Sequence, residues 1–128
     1  MTASALPYDG VHVVADLYGA QSLDDLKYID TTLRLAAAAA GATVLDVHLH
    51  SFGTGLGVTG VALLAESHIS IHGWPEHGYA AVDIFICGRN HDAGAALAAI
   101  VARLAATQTG TTYLKRGYSA HTPGSACA

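Results

Sequence analysis

Reactive side chains crowd one stretch of this chain, A65-E-S-H-I-S-I-H-G-W-P-E-H-G-Y-A-A-V-D-I-F-I-C-G88. It holds the carboxylates Glu66, Glu76 and Asp83, the hydroxyls Ser67 and Ser70, the imidazoles His68, His72 and His77, and the thiol Cys87. A hydroxyl beside a base can act as an acyl-transfer nucleophile. An imidazole or a thiol can carry a proton to or from carbon. Imidazoles spaced along one strand face can ligate a metal, and His48 with His50, or His68 with His72, have that spacing, with Asp46 or Asp83 as a third ligand. Each group also has a plain reading: a lone cysteine in an apolar strand is commonly a small core residue, and a strand histidine is commonly structural. No cysteine pair and no HExxH pattern accompanies the histidines, so no metal site is expected. No G-x-S-x-G elbow supports a triad hydrolase.

The flanking pattern says what must hold these groups. V11-H-V-V-A-D-L-Y18 is rich in β-formers and ends at Gly19, which predicts a strand. Leu23, Leu26, Ile29 and Leu33 recur at helical spacing up to A36-A-A-A-A40. Ser22 is the expected N-cap, with Asp24 and Asp25 in the first turn and Gly41 past the end. T43-V-L-D-V-H-L-H50 alternates, with Val44, Asp46, His48 and His50 opposite Leu45, Val47 and Leu49. S51-F-G-T-G-L-G57 reads as a loop, and strands are expected over 58–65, 69–72 and 79–87, with a turn over 73–78. A second helix spans 92–106, a last strand 110–115, and a disordered tail starts at about 118.

The order β-α-β-β-β-β-α-β predicts an α/β (α+β) two-layer sandwich, with a mainly antiparallel sheet and two helices on one face. In regular strands His68, Ser70 and His72 share a face opposite Ser67, Ile69 and Ile71, while Ala81, Asp83, Phe85 and Cys87 oppose Val82, Ile84 and Ile86. The face without helices needs a cover, and a second copy of the chain is the expected one.

Composition narrows the partners. A chain of 128 residues forms a single domain, 1–128. Only 12% of the residues are charged and the mean hydropathy is +0.36, which favours association. The net charge of −4 leaves no basic footprint for nucleic acid. No apolar run reaches the ~18 residues of a membrane span. The start lacks a secretory pattern. Cys87 and Cys127 lie far apart, and the expectation is a cytoplasmic protein with free thiols.

The ordered series Glu66-Ser67-His68, His72-x-Trp74-Pro75-Glu76 and Cys87-Gly88 closely resembles the prokaryotic S-adenosylmethionine decarboxylase proenzymes, which depend on a pyruvoyl group. The likeness runs from about Val11 to about Gly117, and the twenty-residue step from Ser67 to Cys87 also matches. Decarboxylation at an amino-acid carbon leaves a carbanion that needs an electron sink. The two lysines, Lys27 and Lys115, sit in no context that suggests pyridoxal phosphate.

The resemblance implies that the sink is made from the chain. Ser67 attacks the carbonyl of Glu66, the ester is lost by β-elimination, and hydrolysis leaves a pyruvoyl group and ammonia. It implies a β chain of 1–66 and an α chain of 67–128, with His72 as base for the elimination, Thr59 in support, and Cys87 as the acid that protonates the product carbon. It further implies Phe52 stacking on adenine, Glu76 holding the ribose hydroxyls, S-adenosylmethionine as substrate, no metal, and a homodimer of αβ protomers serving spermidine synthesis.

Some positions depart from the family pattern. Thr59 stands where a serine is common, Gly73 replaces a threonine, the Phe52 loop is one residue longer, and Arg89-Asn90-His91-Asp92 replaces an acidic residue followed by Asp-Pro. Because they touch the pocket, a pyruvoyl-dependent arginine or ornithine decarboxylase is an alternative, as is an unprocessed, non-catalytic homologue. Ser67 and His72 are an odd number of residues apart, so a twist or bulge at the start of their strand, or a long reach by His72, is expected to join them.

Overall fold

The computed structural model describes residues 9–87 and 91–117. Within them the chain forms β1 (Gly10–Tyr18), α1 (Leu26–Ala40), β2 (Val44–Ser51), β3 (Val58–Leu64), β4 (Ser67–Trp74), a 3-10 turn (Pro75–His77), β5 (Tyr79–Cys87), α2 (Ala93–Arg103) and β6 (Gln108–Arg116). The expected tail, Cys127 and Gly88 lie outside the described residues.

The six strands form one antiparallel sheet in the order β2-β3-β4-β5-β1-β6, with both helices on one face. This is the two-layer architecture that the pattern predicts. Alternation makes the core. Val13, Ala15 and Leu17 of β1, Ile69 and Ile71 of β4, and Val82, Ile84 and Ile86 of β5 point at the helices and are buried. Ile29, Leu33, Ala36 and Ala37 of α1 and Ala96, Leu97 and Ile100 of α2 meet them. The alanines let the helices lie close to the sheet and to each other. Thr32, the buried polar residue of this core, is satisfied: its hydroxyl donates to the Tyr28 carbonyl at 2.7 Å and accepts from Arg103 Nε at 3.2 Å.

Local differences from the sequence reading have local causes. Helix α1 starts at Leu26, and its cap is Asp25, whose carboxylate accepts from the Tyr28 amide at 3.1 Å. Ser22, the expected cap, sits in a turn with φ 63°. The register of β2 against β3 shifts between Val44 and Asp46. That bulge leaves Leu45 67% exposed and turns Val44 inward, so Leu45 does not share the inward face of Val47 and Leu49. The missing proline at the start of α2 changes little. Asp92 caps that helix through the Ala95 amide at 3.0 Å. Strand β4 is longer than expected and pairs without a register break on both sides. The bulge expected near Ser67 is therefore absent.

Candidate active site

Strand β3 turns into β4 through Ala65 and Glu66, with Leu64 paired to Ser67. Two residues close this hairpin, and Glu66 takes the left-handed conformation at φ 64°. A side-chain-bearing residue in that region stores about 1–2 kcal/mol of strain. The strained residue is the one whose carbonyl is bonded to the Ser67 nitrogen. Ser67 points to the helix side of the sheet, and its Oγ accepts a hydrogen bond from the Cys87 amide at 3.0 Å. Glu66, Ser67 and Cys87 thus lie together at one end of the sheet. The Cys87 thiol is free and partly exposed. His91 holds the Cys87 carbonyl by donating from Nδ1 at 2.8 Å. A carbonyl only accepts, so the His91 proton is on Nδ1.

The other four predicted residues gather elsewhere. Thr59 and His72 face each other across β3 and β4, and Thr59 Oγ1 lies 3.2 Å from His72 Nδ1. Phe52 follows the end of β2, packs edge-on against His50 at 4.8 Å between ring centroids, and is 59% exposed. Its loop closes by a hydrogen bond from the Phe52 amide to the Gly57 carbonyl at 3.0 Å. Gly57 must be glycine, because a Cβ there would sit 1.9 Å from the Gly73 carbonyl oxygen. That contact seats the Phe52 loop beside the strand end that leads to Glu76. Glu76 is exposed on the turn after Trp74.

Thr59 and His72 belong to the face without helices, and Ser67 to the opposite one. Ser67 and His72 are five positions apart along the strand, about 16 Å at ~3.3 Å per residue. The predicted residues therefore form two groups at opposite ends of the sheet, and one copy does not bring them together.

Sequence reasoning passed over a further cluster on the uncovered face. One carboxylate, Asp83 on β5, lies between two imidazoles: His12 Nε2 on β1 meets Oδ1, and His68 Nε2 on β4 reaches Oδ2 at 3.2 Å. Arg116 on β6 contacts His12 Nδ1 at 2.9 Å. The Phe85 ring lies 5.6 Å from His12 and 5.9 Å from His68, centroid to centroid. Gly10 leaves it room, since a Cβ there would be 2.9 Å from that ring. Alternation puts His12, Asp83 and His68 on one face, but only the pairing of β1 with β5 makes them neighbours. Next to it runs an aromatic row, Tyr18, Tyr79 and Trp74, with centroids 5.6 and 5.3 Å apart. His48 and His50 stay on the edge strand β2. Among the described residues no three His, Cys, Asp or Glu side chains converge to hold a metal.

The fold has close counterparts among known proteins. A crystal structure of the adenosylmethionine decarboxylase from Aquifex aeolicus superposes with a TM-score of 0.79 at 37% identity, over 88% of this chain and 94% of that one. An S-adenosylmethionine decarboxylase proenzyme of Thermomicrobium roseum is 40% identical over 84% of this chain and 93% of its own length. One from Parasynechococcus marenigrum is 57% identical over 62% of each. The fold and these relatives define a decarboxylase of the two-layer α/β type. The model of the S-adenosylmethionine decarboxylase family matches residues 11–117, and the chain belongs to that family.

Proposed function

We propose that the chain is a self-processing, pyruvoyl-dependent S-adenosylmethionine decarboxylase, and that its active sites form between two copies. The observation that carries the first part is the strained Glu66–Ser67 junction, with Ser67 Oγ held against the Cys87 amide. In maturation Ser67 Oγ bonds to the Glu66 carbonyl carbon as the C–N bond breaks, which gives an ester and a free amine on residue 67. A base removes the Cα proton of residue 67, and the ester oxygen leaves with the Glu66 carboxylate. Water then hydrolyses the enamine-derived imine and releases ammonia. The products are a β chain of 1–66 and an α chain whose first residue carries a ketone.

In this reading the base is His72, steadied by Thr59 and supplied by a second copy, which the separation of Ser67 and His72 on one chain supports. An uncovered face supports this arrangement. Val14, Tyr18, Leu63, Trp74 and Leu114 all point out of that face, each more than 40% exposed. A two-fold dimer would cover these side chains and bring the His72 end of one copy to the Ser67 end of the other, twice.

When formed, the pyruvoyl group would supply the electron sink for loss of CO2. The chain's own residues do the rest. Cys87 delivers a proton to the product carbon. Phe52 is exposed and free to stack on the adenine, with cation–π attraction to the sulfonium of about 1 kcal/mol or more. Glu76, on the same end as Phe52, accepts from the ribose hydroxyls. The product is decarboxylated S-adenosylmethionine, an aminopropyl donor for spermidine synthesis. A cytoplasmic location is part of this proposal; among the described residues no helix is long and apolar enough to cross a membrane.

Mass spectrometry and CO2 release test the reading together. Two fragments divided between Glu66 and Ser67, the C-terminal one with a blocked terminus, and CO2 from S-adenosylmethionine are expected. An intact chain after long incubation refutes it, and release of CO2 from arginine or ornithine alone refutes the substrate.

A further inference from the structure

The shared carboxylate between His12 and His68 has a chemical direction. Arg116 can only donate hydrogen bonds, so His12 Nδ1, its contact at 2.9 Å, accepts and carries no proton. The His12 proton is then on Nε2 and is donated to Asp83 Oδ1. The second oxygen, Oδ2, is left for His68 Nε2 at 3.2 Å. The chain of contacts Arg116, His12, Asp83, His68 thus crosses four adjacent strands, β6, β1, β5 and β4, and ends on the residue after Ser67.

We propose that Asp83 is a positioning residue for turnover, and that it acts by anchoring His68 after the chain has been cut. This rests on the self-processing reading above. Before cleavage residue 67 is held covalently on both sides. Afterwards its only covalent tether is the amide to His68, and the plane of that amide sets the direction of the new ketone. The backbone of His68 pairs with Leu63 and Phe85, which fixes its height in the sheet. The imidazole held on Asp83 fixes rotation about the strand. His12 and Arg116 hold Asp83 in turn, and Phe85 packs against both rings.

The carboxylate is needed because it accepts from two N–H donors at once. An amide offers one acceptor oxygen and an NH2 that faces the second donor. Asp83→Ala removes both acceptors, so neither tautomer of His68 finds a partner there, whereas in Asp83→Asn the NH2 still serves a His68 that carries its proton on Nδ1.

The expected result for Asp83→Ala is complete chain cleavage, because the Glu66–Ser67 turn is untouched. A kcat reduced at least about 10-fold with KM within about twofold is expected, since misplacement by an ångström can cost ~100-fold. Adding Asp83→Ala to His68→Ala should change kcat by less than about twofold, the signature of two residues acting as one unit. A general loss of folding would instead add to the His68→Ala defect. The imidazole 15N spectrum of the wild-type enzyme gives a readout free of any variant: His12 must carry its proton on Nε2. Three results overturn the proposal: wild-type kcat in fully cleaved Asp83→Ala, additive losses in the double variant, or His12 protonated on Nδ1. A wild-type chain that never cleaves overturns the self-processing reading as well, so the two failures are distinct.

Discussion

Thr59 and His72 join side chains at 3.2 Å across the β3–β4 ladder, on the face of the sheet that Ser67 turns away from. No rotamer of His72 spans five strand residues and crosses the sheet to Ser67. A site built from two copies makes a sharp prediction. Alone, Ser67→Ala leaves a chain that does not mature, and His72→Ala one that matures at least about 100-fold more slowly. Co-expressed, the mixed dimers hold one complete site, Ser67 from one copy with His72 from the other. With random pairing about a quarter of all sites are then complete, half the dimers being mixed with one good site each. Separately tagged chains, purified as mixed dimers and analysed by mass spectrometry, should show cleavage only of the copy that keeps Ser67. Absence of cleavage in isolated mixed dimers rules the arrangement out.

If His72 is the base proposed above, the same contact gives Thr59 a role. His72 needs a fixed ring to abstract a proton, and the Thr59 hydroxyl supplies the partner for Nδ1. Thr59→Val keeps the shape and deletes the hydroxyl, so cleavage should slow about 5–10-fold, the worth of one hydrogen bond of ~1 kcal/mol. His72→Ala removes the base and should slow it about 100-fold or more. Thr59→Ser keeps the hydroxyl and should mature at close to the wild-type rate. Gel densitometry of freshly refolded chains measures all three. Equal rates for valine and serine at this position would remove Thr59 from maturation.

Much of this architecture is legible in the sequence because alternation and helical spacing are local. The faces of β4 and β5 follow from period two alone, and so does the opposition of Ser67 and His72. The expected bulge at the start of β4 came from requiring one chain to hold the whole site. Regular pairing of β4 with both neighbours rules that bulge out, and the proposal of a second copy takes its place. The cap at Asp25 rather than Ser22 was hidden because both are good capping residues three positions apart, and only backbone geometry selects one. The His12–Asp83–His68 cluster was hidden for a different reason. Residues 12 and 83 become neighbours only through the pairing of β1 with β5, a register that no local pattern specifies.

In the proposed maturation Glu66 links strain to cleavage. Its φ of 64° is unfavourable for a residue with a Cβ and free of cost for glycine. Glu66→Gly should therefore relax the turn. On a Ser67→Ala background, which cannot cleave, the relaxed hairpin should be more stable by up to about 1 kcal/mol, less the entropy that glycine returns to the unfolded chain. With Ser67 present, the same change should slow cleavage, because the N-to-O shift no longer releases strain. Urea midpoints of the first pair and cleavage rates of the second check both halves. Faster cleavage with glycine at this position would show that strain at Glu66 does not drive the shift.

Tyr79 gives the sheet a pH signature. Its hydroxyl donates to Asp16 Oδ1 at 2.5 Å, and its pKa is raised from 10.0 to about 12, first by this hydrogen bond to a carboxylate, then by burial and by the charge of Asp16. Ionising the phenol would destroy the bond and set two negative charges side by side. The folded value lies above the unfolded one, so the contribution to stability is fully present below the unfolded value of 10.0 and is lost as pH rises through about 12. Tyr79→Phe removes the contribution at every pH. The wild type should then be the more stable of the two at pH 9, and the gap between their urea midpoints should close above pH 12. Absorbance of tyrosinate should show one fewer late-titrating group in the variant. A gap that stays constant from pH 9 to pH 12 would mean that Tyr79 stabilises the sheet by packing on Tyr18 and Trp74 rather than through Asp16.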